Sequence, residues 1–196
     1  MSAGETLHFA GDDSIGMHCI LSGKLRIYLS VEEHGSYFVH LLHPGYWFGE
    51  GPSITGLPRV VTPVAFGDCE LLFLPQAAIL DILSRDPACI RFFVAPLLKH
   101  FETSVGIVAD LLLRDHKQRI AAVLLRLGGC RTDALDVRGR IDIEATQEEI
   151  AIMANVVRMT AGSVLRHFAK AGLIEVGYGK VTLLAPSKLR AMLKTN

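Results

Sequence analysis

The sequence predicts an α+β chain: a strand-rich roll at the N-terminus, a long helix in the middle, and a helix-turn-helix followed by a hairpin. Three observations predict it. Short β-rich runs separated by turn signals fill residues 4–75, at the spacing of a sandwich or barrel-like roll. The period changes near residue 76, after which apolar residues recur every three or four positions. Residues 139–196 read helix, tight turn, helix, hairpin, the order of a winged helix-turn-helix.

In the roll, the predicted strands are Thr6–Phe9, Lys24–Val31, Ser36–Leu41, Val60–Phe66 and Cys69–Leu74. Turn signals separate them at Gly11-Asp12-Asp13, Ser22-Gly23, His34-Gly35, Pro44-Gly45 and Gly67-Asp68. Asp86-Pro87 is a helix start, a capping Asp before Pro at the first helical position. Pro96 is expected to kink or restart that helix. Leu98, Phe101, Val105, Val108 and Leu112 follow at 3-4-3-4 spacing, with Val94 behind them, an a/d seam suited to dimerisation. A helix laid on the roll would show the same seam.

Asp115 with Gln118 resembles a capping box opening the stretch Ile120–Leu127, which Gly128-Gly129 ends. Residues 129–140 read as a linker. The expected domains are therefore 1–95 for the roll, 96–128 for the dimerisation helix and its successor, and 139–196 for the C-terminal unit. Within the last, Thr146 and Glu149 form a capping box, and Asn155 suits a left-handed turn. Apolar positions resume at Val156 and Val157, then Ala161, Val164, Leu165 and Phe168, until Gly172. Leu173–Val176 and Lys180–Leu184 make a hairpin around Gly177-Tyr178-Gly179, and Pro186-Ser187 starts a last helix.

Composition narrows the classes. Half of the 196 residues are apolar and the formal net charge is zero, which excludes a disordered chain. No continuous apolar run approaches the ~18 residues of a membrane span, and residues 1–20 lack the pattern of a signal peptide. Cys19, Cys69, Cys89 and Cys130 are scattered, which fits a reducing cytoplasm. Residues 1–138 carry 12 basic against 15 acidic residues, and residues 139–196 carry 8 against 5. A basic C-terminal unit suits a polyanion, although a solvated basic face has the same count.

If the helix from Arg158 enters a major groove, Arg158 in its first turn is placed to pair with guanine O6 and N7. Met159, Thr160, Ser163, Arg166 and His167 continue that helix, and Lys180 on the hairpin faces adjacent backbone. A second constellation is Phe48-Gly49-Glu50-Gly51-Pro52-Ser53 with Arg59. Glycine-rich amides and an Arg can cradle a phosphate, and a carboxylate can accept ribose hydroxyls. A surface loop with a Glu–Arg pair is the plainer reading of the same residues. His40 and His43 with Glu50 offer three potential iron or zinc ligands, against the plainer reading of surface histidines.

The order of Ala10-Gly11-Asp12, Leu21-Ser22-Gly23-Lys24-Leu25, Pro44-Gly45-Tyr46-Trp47-Phe48-Gly49-Glu50 and Pro58-Arg59 resembles the cyclic-nucleotide-binding domain. With Thr146-Gln147-Glu148-Glu149-Ile150-Ala151, then Arg158 and Thr160, Leu165 and Ala171-Gly172-Leu173-Ile174, the chain resembles the CRP/FNR family of bacterial transcription regulators over about residues 4–190. The resemblance implies a regulator and not an enzyme, with no catalytic residue and no metal. It implies a homodimer through Leu98, Phe101, Val105, Val108 and Leu112, double-stranded DNA with a palindromic operator as partner, and RNA polymerase as a further partner. It implies an effector, cyclic AMP or another cyclic nucleotide, held by Gly49, Glu50, Gly51, Arg59 and Ser104.

Departures from the family pattern qualify those expectations. Pro52 stands where an amide donor is usual, Val60 where the cyclic AMP receptors have a hydroxyl, and Val105 follows Ser104 in place of a second hydroxyl. Met159 and Ser163 occupy the positions of the family's Glu and second Arg, which implies a different operator, and Val157 replaces a capping Ser. The clustered N-terminal Cys of the FNR branch are absent, and the chain starts almost at its first predicted strand, so a short leading helix common in relatives is either missing or not included in this sequence. Competing readings are a regulator whose roll takes no diffusible ligand, a metal-dependent cupin-like enzyme, and a small-molecule-binding protein that has lost DNA binding.

Overall fold

The computed structural model describes residues 1–32, 34–131 and 139–194. Two compact units divide it, Met1–Ser104 and Val105–Asn196. The first holds β1 (Gly16–Val31), β2 (Gly35–Leu42), β3 (Trp47–Phe48), α1 (Glu50–Thr55), β4 (Thr62–Pro75), α2 (Gln76–Arg85) and, after a 3-10 turn over Pro87–Cys89, most of α3 (Ile90–Leu111). The second holds the end of α3, then α4 (His116–Leu127), β5 (Ile141–Ile143), α5 (Gln147–Met153), α6 (Arg158–Lys170), β6 (Ile174–Gly177), β7 (Lys180–Leu183) and α7 (Pro186–Met192).

β1 is the spine of the roll, pairing antiparallel with β2, β3 and β4. Ser22-Gly23 and Gly67-Asp68 do not end strands, contrary to expectation. Ser22 pairs with Glu70 and Lys24 with Phe66, so one residue of β1, Gly23, faces three of β4. Gly23 and Gly67 both hold positive φ, 80° and 79°, so the two strands bend together and continue. A side chain at Gly23 would run into the Asp68 carbonyl. Thr62–Phe66 of the first expected run and Cys69–Leu74 therefore belong to a single strand, β4, while Val60 and Val61 precede it. Thr6–Phe9 is not a strand: Thr6 makes one isolated bridge to Val64. Ile20, Leu25, Ile27, Leu42, Phe48, Ala65 and Cys69 fill the roll, and Met17, Ile79 and Phe93 tie α2 and the start of α3 beneath it.

Asp86 caps the turn before α3, accepting from Ala88 N at 3.0 Å. Pro96 lies inside α3, and the helix runs through it without restarting. Pro removes one i→i−4 bond, and the loss of one bond does not end a 22-residue helix. Leu98, Phe101, Val105 and Val108 are 51–64% exposed and Leu112, just past the helix end, 77%. Pro87–Leu111 is long and apolar enough on average to cross a membrane, with almost none of its apolar window buried within the chain. Arg91, Lys99 and Glu102 interrupt it, which is why no continuous apolar run is visible in the sequence.

In the second unit α4 buries every residue from Ile120 to Leu127 against a core that includes Ile143, Ile150, Leu165, Phe168, Leu183 and Leu189. Asp115 caps α4 through Lys117 N at 2.8 Å, and Gln118 completes no box: its amide donates to the Met192 carbonyl at 2.8 Å. Of the expected linker, residues 132–138 lie outside the described residues. Cys130, at its start, is buried, and Arg131 bonds Asp110 at 2.6 Å. The three-residue strand β5 has no counterpart in the sequence reading. It pairs with β7, giving the order β5-β7-β6.

Candidate functional site

The C-terminal unit builds its exposed helix from local signals. Thr146 Oγ1 accepts from Glu149 N at 3.2 Å while Glu149 Oε2 accepts from Thr146 N at 2.7 Å, closing the expected capping box on α5. Asn155 turns the chain with φ 49°. Val157 precedes α6 without a side-chain cap, so nothing at that position satisfies the first amides. Ala161, Val164, Leu165 and Phe168 are buried, which leaves Arg158, Met159, Ser163, Arg166 and His167 outward and Thr160 partly exposed. Met159 is 86% exposed, an apolar tip that the fold itself does not use.

Two of the basic residues are already paired. Arg158 Nε lies 3.6 Å from Glu148 on α5, an exposed pair of little energetic weight. Lys180 Nζ lies 2.7 Å from Asp142, whose carboxyl Lys180 and the Thr182 hydroxyl together hold below its ordinary pKa. Beside α6, a groove of about 640 Å³ is lined by His116, Lys117, Arg119, Thr160, Ser163 and His167 among others. Arg119 serves the fold there, donating to the Ala154 and Leu113 carbonyls at 2.9 and 2.8 Å. His116 and Lys117 were missed by sequence reasoning, because only folding brings the first turn of α4 alongside α6.

In the roll, the segment after Gly49 is a short helix, α1, rather than a loop, with Gly49 as its N-cap. Gly49 has φ 91°, and a Cβ there would strike the Arg59 guanidinium, so this position needs glycine on both counts. Arg59 is 5% exposed. Its Nη2 donates to the Gly16 carbonyl at 2.5 Å, while its Nε and Nη1 are shut off from solvent without an acceptor. Glu50 is 3% exposed, bonds His100 Nδ1 of α3 at 3.0 Å through Oε1, and leaves Oε2 buried without a donor. The α3 residue at this carboxylate is thus His100, again invisible to sequence reasoning. Ser104 is exposed and spends its hydroxyl on the His100 carbonyl at 2.9 Å. Gly51 lies under Leu97. Among the described residues no group of three or more His, Cys, Asp or Glu is arranged to hold a metal, so His40, His43 and Glu50 do not form the site their spacing suggested.

The family model of the cyclic nucleotide-binding domain matches residues 1–86, and that of the Crp-like helix-turn-helix domain matches residues 118–192. The chain is 29% identical over 165 residues to the transcriptional regulator SdrP of Thermus thermophilus, covering 84% of this chain and 77% of that one. It superposes on the crystal structure of a CRP/FNR-family regulator from the same organism with TM-score 0.76 and 26% identity, over 100% of this chain and 97% of the other. The chain belongs to the CRP/FNR family of transcription regulators. A cyclic AMP receptor protein of T. thermophilus is 27% identical over 179 residues, 91% of this chain and 79% of that one.

This CRP/FNR regulator keeps the roll's Gly-Glu and Arg while altering their surroundings. Pro52 falls in the third position of α1 and offers no N–H, and Val60 is 70% exposed. Two histidines lie in the field of Arg59. Burial first, and then the Arg59 charge, hold His8 and His18 down to about 4, from an ordinary value of 6.5. Between those values the unfolded chain binds protons that the folded roll refuses. The neutral rings' contribution is therefore complete above pH 6.5 and is lost as pH falls towards 4. The urea midpoint of the ligand-free protein is expected to be lower at pH 5 than at pH 7.5. A His18→Phe variant should flatten that dependence, and an unchanged slope would remove His18 from the account.

Proposed function

We propose that this regulator is a homodimer whose roll, residues 1–95, takes a cyclic nucleotide such as cyclic AMP, and whose helix-turn-helix, residues 139–196, reads a palindromic operator. Residues 96–128 supply the dimer contact through the Leu98, Phe101, Val105, Val108 and Leu112 seam and couple the two functions as a shift between two populations. It catalyses no reaction and works in the cytoplasm, beside RNA polymerase. On DNA, Arg158, Met159, Thr160 and Ser163 meet base edges, while Arg166, His167 and Lys180 meet phosphates, joined by His116 and Lys117.

One observation supports the effector reading above the rest. Arg59 carries two buried donors without an acceptor, and Glu50 carries a buried acceptor without a donor. Buried polar groups are ordinarily satisfied. A ligand offering both a phosphate oxygen and a sugar hydroxyl complements both vacancies, as a cyclic nucleotide does. Calorimetric titration of cyclic AMP and then cyclic GMP tests this, with Arg59→Ala alongside. Saturable binding that disappears in the variant is the expected result, weakened relative to a site with its full set of donors by about 1.5–3 kcal/mol for the donor Pro52 lacks. No heat at millimolar ligand would select the second reading, a roll closed on itself. The Arg59–Gly16 and Glu50–His100 bonds favour that alternative.

A further inference from the structure

We propose that His8 and His18 complete an oxyanion site around Arg59, and that the roll takes up protons on these two rings as the anion binds. The inference rests on the reading of the roll as an effector site and adds to it two residues that the glycine-rich segment and Arg59 do not include. Its starting point is a concentration of unsatisfied polar nitrogens. Arg59 Nε and Nη1, His18 Nδ1 and both ring nitrogens of His8 are buried and lack a hydrogen bond of ordinary geometry. Both rings lie in the field of Arg59, and the three residues come from three parts of the chain: the segment before β1, β1 itself, where His18 pairs with Phe48 beside the Gly49 that packs on the guanidinium, and the loop before β4.

The groups facing each ring are few. His8 faces Arg59 and, more weakly, Asp12, whose carboxylate is already accepting from Phe9 N at 2.8 Å; the Phe9 backbone also favours the charged ring slightly. His18 faces Arg59 and His8, and its ring lies against Phe48 and Phe73, with centroids 5.5 and 4.9 Å away. Arg59 feels Glu50 and Asp12, and Glu50 is bonded to His100 from α3. None of these carboxylates bonds the guanidinium in the contacts described, whose one acceptor is the Gly16 carbonyl.

An uncompensated buried cation suppresses protonation of its neighbours. An oxyanion placed against Arg59 removes that field. It cancels the guanidinium charge and offers acceptors to the ring N–H groups, so the neutral rings become protonated donors. The same two histidines that weaken the empty roll in acid thus favour the occupied one. By linkage, affinity falls tenfold per pH unit for each proton taken up, so a two-proton site loses about a hundredfold from one pH unit to the next while both rings are being charged. The ligand chemistry is a small oxyanion or the phosphate of a nucleotide, and the two sources are separable.

The test uses the full chain and two probes, cyclic AMP and inorganic sulfate, neither of which titrates between pH 5.5 and 7.5. Calorimetry of cyclic AMP in buffers of different ionisation heat counts the protons taken up, and histidine ring-proton NMR follows His8 and His18 as sulfate is added. Uptake of one to two protons at pH 6, abolished in a His8→Gln/His18→Phe double variant that still binds ligand through Arg59, is the expected result. Sulfate that moves the two rings into their charged form while cyclic AMP fails to bind supports this site and ends the cyclic nucleotide reading. Cyclic AMP binding without proton uptake, or uptake that survives in the double variant, overturns the proposal and leaves that reading intact. Silence with both probes overturns both.

Discussion

Replacing Phe101 by Glu is expected to leave the chain monomeric and to weaken operator binding by about a hundredfold or more. Phe101 is 64% exposed and belongs to a seam whose other members are 51–77% exposed. Nothing in the roll's core depends on it, so the fold should survive. The large effect arises from linkage of two half-site readers. A second recognition helix tethered to the first binds at an effective concentration that multiplies affinity by roughly 10²–10⁴, and separating the protomers forfeits it. Sedimentation velocity and fluorescence anisotropy on an operator, with the urea midpoint as a control on folding, measure the three quantities independently. A variant that remained dimeric with unchanged affinity would place the dimer contact elsewhere. The result would also show that this apolar helix is covered by a second copy and not by lipid, although its length and composition alone satisfy both.

The second large effect separates two arginines on one helix. Arg158→Ala is expected to cost about 1–3 kcal/mol on the preferred operator and little on other sequences, because a guanidinium paired with one base carries discrimination. Arg166→Ala and Lys117→Ala should instead weaken all sequences alike and lower the salt slope of binding by about one apiece, the signature of a lost phosphate contact. The Arg158–Glu148 pair does not oppose this, since both side chains are mostly exposed and such a pair is easily exchanged for a base. Binding measured on a selected operator and on scrambled DNA at two salt concentrations distinguishes the cases. Identical behaviour of Arg158 and Arg166 would refute the groove assignment.

What could be read from the sequence was what adjacent residues determine among themselves. The capping box of Thr146 and Glu149, the left-handed Asn155 and the Asp86 cap need at most neighbours two or three positions away, and each is present. Apolar periodicity likewise located α6 through its buried Ala161, Val164, Leu165 and Phe168, because burial of a helix face is written at fixed spacing. The misreadings are those where distant residues decide. Gly23 looks like a turn until β4 lies opposite it, and Gln118 looks like half of a capping box until the Met192 carbonyl becomes available. The three residues of β5 carry too little pattern to be seen apart from β7. The same logic divides the candidate sites. Gly49, Glu50 and Arg59 are legible through motif order, whereas His8, His18 and His100 are brought to them by the wrapping of the roll and leave no local signature.

Trp47 pairs with Cys19 in the roll, next to the Phe48 ring that stacks on His18. It is the chain's sole tryptophan. The molecule therefore carries an unlabelled optical probe one residue from the wall of the proposed effector site and none in the unit that holds α5 and α6. Indole emission should follow the filling of the roll and stay blind to DNA, while a dye on the operator follows DNA and stays blind to the roll. The two halves of the regulator can be watched separately in a single cuvette, and the order in which signal and DNA arrive becomes a kinetic observable.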